Sequence, residues 1–327
     1  MLIGVFFMLL ASGHGQGLAG SDAAYGGRHS TQDGEAAQCR MSILGNNNGT
    51  ISNATIACNS RVSVGFSEQR LGRFAKRFEG VSWDQACMRP ACLLSFCTSS
   101  HVLVSGSIIK GVSGVQHILC VSGSVNLTVQ DSLISNNNAT AVAAYNTSRA
   151  VVRSSTISYN TVVDAPGGLT AHDDARVLIT ARSRVYSNVA INSSAGGVRA
   201  VGRSHVTIAG ESVISHNDCD GLDTYKLPKV SCQGGGVFVA DNAIVVVEGG
   251  SRIQHNSADL KGGGISVIES GVVTVRGRSM VCNNMAIGHG GGFGVGGHAV
   301  VTVVGSVVCN NTSPNRSGGS RWRTAPV

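Results

Sequence analysis

Three carboxylates surround Gly221 in the inserted segment between Asn217 and Gly234, which contains Cys219 and Cys232: Asp218, Asp220 and Asp223. Oxygen ligands at such spacing are the kind that hold calcium, so calcium is the one cofactor that the sequence suggests. The alternative is a plain surface loop. Because the cysteines bracket the segment, a Cys219–Cys232 disulfide is predicted, and it would stabilise the fold by roughly 3 kcal/mol in the chain-entropy model.

Basic and aromatic residues suited to an acidic sugar chain lie in the same segment and in later turns: Tyr225, Lys226, Arg252, Arg276 and Arg278. Tyrosine can stack on a sugar ring, and the chain carries a formal net charge of +7. Positive charge gathered on one side attracts uronate or sulfated polysaccharide. The competing interpretation is that these arginines are ordinary solvated turn residues.

The elements that must position these residues belong to a sequence repeat, which occurs five times between Gly167 and Asn311. Each copy begins with a glycine pair or triplet, which ends at Gly168, Gly197, Gly236, Gly264 or Gly292. A branched apolar or aromatic residue follows, then two short stretches of alternating apolar residues. An asparagine closes the copy, three positions after a Val or Ile. Copies this short cannot fold alone, so each must bury its apolar side against its neighbours.

Within each copy the apolar residues alternate with period two, which is typical of strands and not of helices. Three short strands separated by turns predict one coil of a right-handed parallel β-helix, all-β, with about eight coils. A leucine-rich repeat is disfavoured because its leucine spacing and helical half are missing. Stacked coils would place the closing asparagines above one another as a hydrogen-bonded structural ladder: Asn188, Asn217, Asn256 and Asn284.

The residue positions that recur in every copy form columns when the copies are aligned. These glycine, apolar and asparagine columns resemble the Gly-Gly-apolar and apolar-x-x-Asn repeats of polymorphic outer membrane proteins, within the pectin-lyase-like β-helix class. The resemblance covers roughly residues 107–311 and departs from the family where Val or Ile replaces the usual phenylalanine before x-x-Asn. It implies a β-helix and two groups of function. Surface members are adhesins or passenger domains, whereas polysaccharide lyases and hydrolases share the coil and differ in their sites.

A hydrolase site is predicted to be absent. Asp173, Asp174 and His289 resemble pieces of a polygalacturonase active site. The repeat separates the aspartates from the histidine by about four coils, or ~19 Å at the strand spacing. Asp241 and Glu269 share one turn position in adjacent coils, where they would either bind a cation or simply be solvated.

The termini and cysteines predict the domain organisation. Residues 1–20 are interpreted as a signal peptide, 21–100 as a Cys-rich N-terminal cap with a helix between Ser67 and Gly80, 101–313 as the β-helix and 314–327 as a disordered tail. Ten cysteines and nine Asn-x-Ser/Thr sequons are typical of an oxidising, glycosylating secretory route. Cys282 and Cys309 occupy matching positions on adjacent coils and are predicted to pair.

These observations favour a secreted or cell-surface glycoprotein with a structural, adhesive or glycan-binding role, not an enzyme. The alternative is a lyase or hydrolase acting on extracellular acidic polysaccharide. Expected partners are extracellular or cell-wall polysaccharide, or another copy of the chain. An apolar strip at Ile244, Val272 and Val300 suggests that self-association. With only 5% aromatic residues nucleic acid is not expected, and no stretch is long enough for a transmembrane segment.

Overall fold

The structure, a computed structural model, describes residues 25–30, 36–42, 50–52, 55–58, 92–96, 101–221 and 232–314. These residues form strands and no helix, and the helix predicted between Ser67 and Gly80 lies outside them. The first strands are β1 (Tyr25–Ser30), β2 (Ala36–Ser42), β3 (Thr50–Ser52), β4 (Thr55–Cys58) and β5 (Cys92–Phe96).

Short strands then follow one another through the first half of the repeat region. They are β6 (His101–Ser105), β7 (Ile108–Lys110), β8 (His117–Val121), β9 (Asn126–Gln130), β10 (Leu133–Ser135), β11 (Thr140–Ala144), β12 (Arg149–Arg153), β13 (Thr156–Ser158), β14 (Thr161–Val163), β15 (Leu169–Ala171), β16 (Arg176–Thr180), β17 (Arg184–Tyr186) and β18 (Val189–Ile191).

The second half continues the same pattern. Its strands are β19 (Val198–Ala200), β20 (His205–Ile208), β21 (Val213–Ser215), β22 (Asp218–Asp220), β23 (Val237–Val239), β24 (Ile244–Val247), β25 (Arg252–Gln254), β26 (Ser257–Ala258), β27 (Ile265–Val267), β28 (Val272–Val275), β29 (Met280–Cys282), β30 (Met285–Ala286), β31 (Phe293–Val295), β32 (Val300–Val303) and β33 (Val307–Cys309).

Successive strands belong to different sheets, so the chain winds as a coil of the right-handed parallel β-helix type. The first sheet, which follows the glycines, is β5-β8-β11-β15-β19-β23-β27-β31. Its eight strands are joined by seven full turns. The second sheet runs β3-β6-β9-β12-β16-β20-β24-β28-β32, and the third contains β4-β7-β10-β13-β17-β21-β25-β29-β33 with β1 and β2 paired antiparallel at its N-terminal edge.

A fourth, shorter sheet, β14-β18-β22-β26-β30, follows the asparagines. The repeat pattern predicts three strands per coil and gives no sign of this one, because its strands are only two or three residues long. Strands β3, β4 and β5 already pair in parallel with β6, β7 and β8. The coil stack therefore extends N-terminal to residue 101.

The core lies inside the coil and is built from the repeated apolar columns. On β24 and β28 the pattern alternates, with Val245, Val247, Val273 and Val275 fully buried. These pairs are in register, Val245 with Val273 and Val247 with Val275. β-branched residues suit such a pleated surface, and the side chains of neighbouring coils pack directly on one another.

The asparagine ladder runs along the inside of the stack, with one asparagine in each coil. Nδ2 of Asn188 donates to Oδ1 of Asn217 at 3.0 Å, and Asn217 donates to Asn256 and Asn256 to Asn284 at 3.0 Å each. The same oxygens also accept the backbone N–H of the preceding asparagine. Every buried amide is thereby satisfied, which avoids a cost of ~1–3 kcal/mol for each unpaired group.

Close stacking explains the repeated glycines. A Cβ added to Gly263 would collide with the carbonyl oxygen and backbone nitrogen of Met285 in the next coil. Met285 is paired with Ser257 in the fourth sheet, so its backbone atoms cannot easily move aside. Glycine is thus required where the chain turns from the fourth sheet into the first.

Three disulfide bonds join described residues: Cys92–Cys120, Cys219–Cys232 and Cys282–Cys309. The second closes the segment inserted between the coils and the third ties β29 to β33, as the sequence predicts for both pairs.

Within the described ranges, no helix is long and apolar enough to cross a membrane.

Candidate functional site

Two tyrosines and two arginines lie along the outer face of the third sheet and in the turn that follows it. Arg184 and Tyr186 are at the two ends of β17, and Tyr159 follows β13 in the preceding coil. The two tyrosine rings meet edge to face with centroids 5.4 Å apart. Arg252 shares the register of Arg184 two coils further on. We call Tyr159, Arg184, Tyr186 and Arg252 the tyrosine–arginine strip.

The strip presents rings and charges to solvent. Tyr159 is 53% exposed, and its backbone has a positive φ of 55°, which turns the side chain outward at the corner of the coil. Arg184 and Arg252 are exposed, and neither forms an ion pair with an acidic residue in the described part of the chain. Their guanidinium groups are therefore available to an anion.

The other predicted arginines differ in their partners. Arg276 is paired with Glu248 of the preceding coil, with Nη2 and Oε2 2.7 Å apart. Arg182 is likewise paired with Glu211 at 2.9 Å. Arg278 is exposed in the turn before β29. Only part of the basic cluster predicted from sequence thus carries uncompensated charge.

The acidic segment is only partly described, since Asp223, Tyr225 and Lys226 lie outside the described residues. Asp218 and Asp220 are half-buried on β22. Burial raises the pKa of the Asp218 carboxyl above its usual range, Asp220 and Asp259 raise it further, and a hydrogen bond with Ser257 opposes them. The described residues contain no group of three His, Cys, Asp or Glu side chains arranged to hold a metal. Calcium binding stays a prediction.

Two carboxylates in the turns, those of Asp241 and Glu269, accept hydrogen bonds from backbone N–H groups of the adjacent coil. Oε2 of Glu269 accepts the N–H of Asp241 at 2.8 Å, and Oδ2 of Asp241 accepts the N–H of Gly202 at 2.7 Å. Asp174 forms an ion pair with Arg203, and the hydrogen bond between them holds the pKa of that carboxyl below its usual range. These acidic groups are occupied in stabilising neighbouring coils.

A buried polar cluster on the outer side of the first sheet has no counterpart in the sequence predictions. The Tyr145 hydroxyl is 3.0 Å from Nε2 of His117, and its ring stacks on His172 at 4.9 Å. Arg199 is half-buried nearby, and burial lowers the pKa of its guanidinium. Arg199 Nε makes no hydrogen bond with any described residue. The sequence does contain one sign of this cluster. Arg199 occupies the same repeat position as Thr170 and Phe238, where a charged residue is unexpected.

The surface depression between residues 115–116, 138 and 161–164 has a volume of about 570 Å³. Asp164 is the single carboxylate of its lining, which includes no arginine or lysine. A glycoside hydrolase canonically uses two carboxyl groups around the sugar, and a pectate-type lyase uses carboxylates beside a basic residue. This depression therefore lacks the groups for that chemistry.

The fold places the chain in the class of parallel β-helix proteins. Residues 91–230 match the family model described as "Right handed beta helix region". No curated protein and no solved structure matches the chain. The finer resemblance to polymorphic outer membrane proteins and the pectin-lyase-like class remains a prediction.

Proposed function

We propose that the protein is a secreted or cell-surface β-helix that binds an acidic polysaccharide on its tyrosine–arginine strip and does not cleave it. The observation that carries this proposal is the outer face of the third sheet. There Arg184 shares a strand with Tyr186, which contacts Tyr159, and Arg252 follows in the same register two coils further on. Both arginines are exposed and form no ion pair with a described residue. Three disulfides among the described residues support an oxidising compartment. A β-helix also suits a structural or carbohydrate-related role.

The chemistry of the strip fits a carboxylated or sulfated sugar chain. An arginine guanidinium binds a carboxylate or sulfate through two parallel N–H donors. A tyrosine ring offers an apolar face to the C–H groups of a sugar and a hydroxyl to its polar rim. Strands held in register fix the backbone positions of these groups before binding, so the entropy that is lost when the ligand docks comes from their side chains and not from the backbone.

The test is affinity for polygalacturonate and heparin, with neutral dextran as the comparison. Replacing Arg252 with serine should weaken binding about fivefold if one exposed charge pair is worth close to 1 kcal/mol. Replacing Arg276 with serine is the matched control, because that guanidinium is already paired with Glu248. Affinity should fall as salt rises, since salt screens exposed charges.

Tyr159→Ala tests the aromatic part of the strip and should weaken binding without changing its salt dependence. Equal affinity of wild type, Arg252→Ser and Tyr159→Ala for every acidic glycan would contradict the proposal. The enzyme alternative predicts new reducing ends or unsaturated uronates, which pure protein should not produce. Repeating the assay with calcium and with a chelator tests the predicted Asp218, Asp220 and Asp223 site.

A further inference from the structure

Two histidines occupy the same turn position in adjacent coils. His216 directly follows β21 and His255 directly follows β25, and these strands pair in register with Ser215 beside Gln254. Both histidines have left-handed backbone conformations, with φ of 54° and 55°. Equal backbone conformation at equal register points both side chains the same way.

The imidazole rings face each other at the surface. Their centroids are 5.0 Å apart and their planes differ by 17°, and both residues are exposed. Each backbone is tied to the next coil, the N–H of His216 to the carbonyl of Gln254 and the N–H of His255 to that of Cys282, at 3.3 Å each. The pair is held by two neighbouring strands and needs no folding event to form.

We propose that His216 and His255 form a chelate for a first-row divalent transition metal ion. Neutral imidazole is a preferred ligand of zinc, copper and nickel, with metal–nitrogen distances of about 2.0–2.1 Å. Two exposed rings this close can reach one ion through side-chain rotation alone. With two protein ligands, the remaining coordination positions are open to water or an external donor. Calcium and magnesium prefer oxygen ligands and are not expected here.

The rest of the column supports a site of limited extent. Ser187 and Asn283 occupy the same left-handed turn position on either side of the pair, with φ of 51° and 57°. Neither is a strong transition-metal ligand, so the nitrogen donors of this column are restricted to the two histidines. A two-nitrogen site predicts the affinity order copper above nickel and zinc.

The experiment is calorimetric titration of tag-free protein with Cu²⁺, Ni²⁺ or Zn²⁺ in the absence of glycan. Loss of even an outer-shell partner costs metal sites about 10–100-fold. His216→Ala and His255→Ala should therefore each weaken the tightest binding event at least tenfold. His205→Ala is the matched control, because His205 is exposed on β20 and its strand neighbours are Arg176 and Ile244.

Unchanged affinity in either variant, or an equal loss in His205→Ala, would overturn the proposal. His255→Gln, which keeps a polar side chain at the turn, guards against a folding artefact and should lose binding as the alanine variant does. Tyr159→Ala should bind metal normally. Failure of glycan binding and failure of metal binding are thus separate results.

Discussion

An inner coil and the last described coil carry the same residue columns but surround them differently. Val281 has a coil on each side and is fully buried, whereas Val308, one coil later in the same column, is 44% exposed. Asn284 is likewise fully buried and Asn311 only partly. A repeat therefore specifies which residues face inward, but burial depends on having a neighbour on both sides.

The largest expected difference concerns the glycines. Gly263→Ala places a methyl group against the backbone of the next coil and should destabilise the protein by about 3 kcal/mol or more. Gly296→Ala, after β31, meets only a side-chain carbon of Ile268 at 3.6 Å and should be nearly neutral. Urea unfolding of both variants measures the contrast. A loss of stability in Gly263→Ala as small as that in Gly296→Ala would mean that the coils are not close-packed at Gly263.

The Cys282–Cys309 disulfide ties the last described coil to the coil before it. Replacing both cysteines with alanine should cost roughly 2–4 kcal/mol in the chain-entropy model. We expect the loss to appear as faster hydrogen exchange in β31–β33 while β19–β24 keep their protection. A uniform increase in exchange along the stack would show that the end coil is not a separate cooperative unit.

The ladder allows a matched pair of substitutions. Asn256→Ala removes the acceptor for two donors of Asn217 and should destabilise the fold by ~1–3 kcal/mol. Asn311→Ala should cost less than half as much, because its half-exposed site admits water. Thermal unfolding of the two variants compares them. A neutral Asn256→Ala would mean that the ladder does not contribute to stability.

The smallest expected effect is at the surface of the penultimate coil. Arg276→Ser breaks the ion pair with Glu248, whose side chains are 58% and 32% exposed, and should cost only ~0.2–1 kcal/mol. The loss should shrink further in high salt, which chemical denaturation at two salt concentrations would test. A loss as large as that of Asn256→Ala would mean that exterior contacts, not the interior, hold adjacent coils together.

Much of the fold follows from the columns because inward positions obey a simple period. The valine columns, the ladder and both disulfides predicted from spacing appear in the structure. The pair Glu248 and Arg276 also shares one repeat position, so its contact was readable from the same alignment. The half-burial of Arg199 could not be predicted from the alignment, because the surroundings of an outward side chain depend on segments from other parts of the chain. The two-residue strands β26 and β30 are too short to leave a pattern.

The asparagine ladder has a direction. From Asn137 to Asn311 each side-chain amide donates toward the following asparagine in the chain, and no described link runs the other way. A stack that is still incomplete therefore ends in N–H donors on its C-terminal side, which exchange water for the asparagine oxygen of the next coil when that coil folds. Coils added in the order of synthesis would each supply the oxygen acceptor for these donors, so the ladder is compatible with vectorial assembly, in which the chain winds up from its N-terminal end.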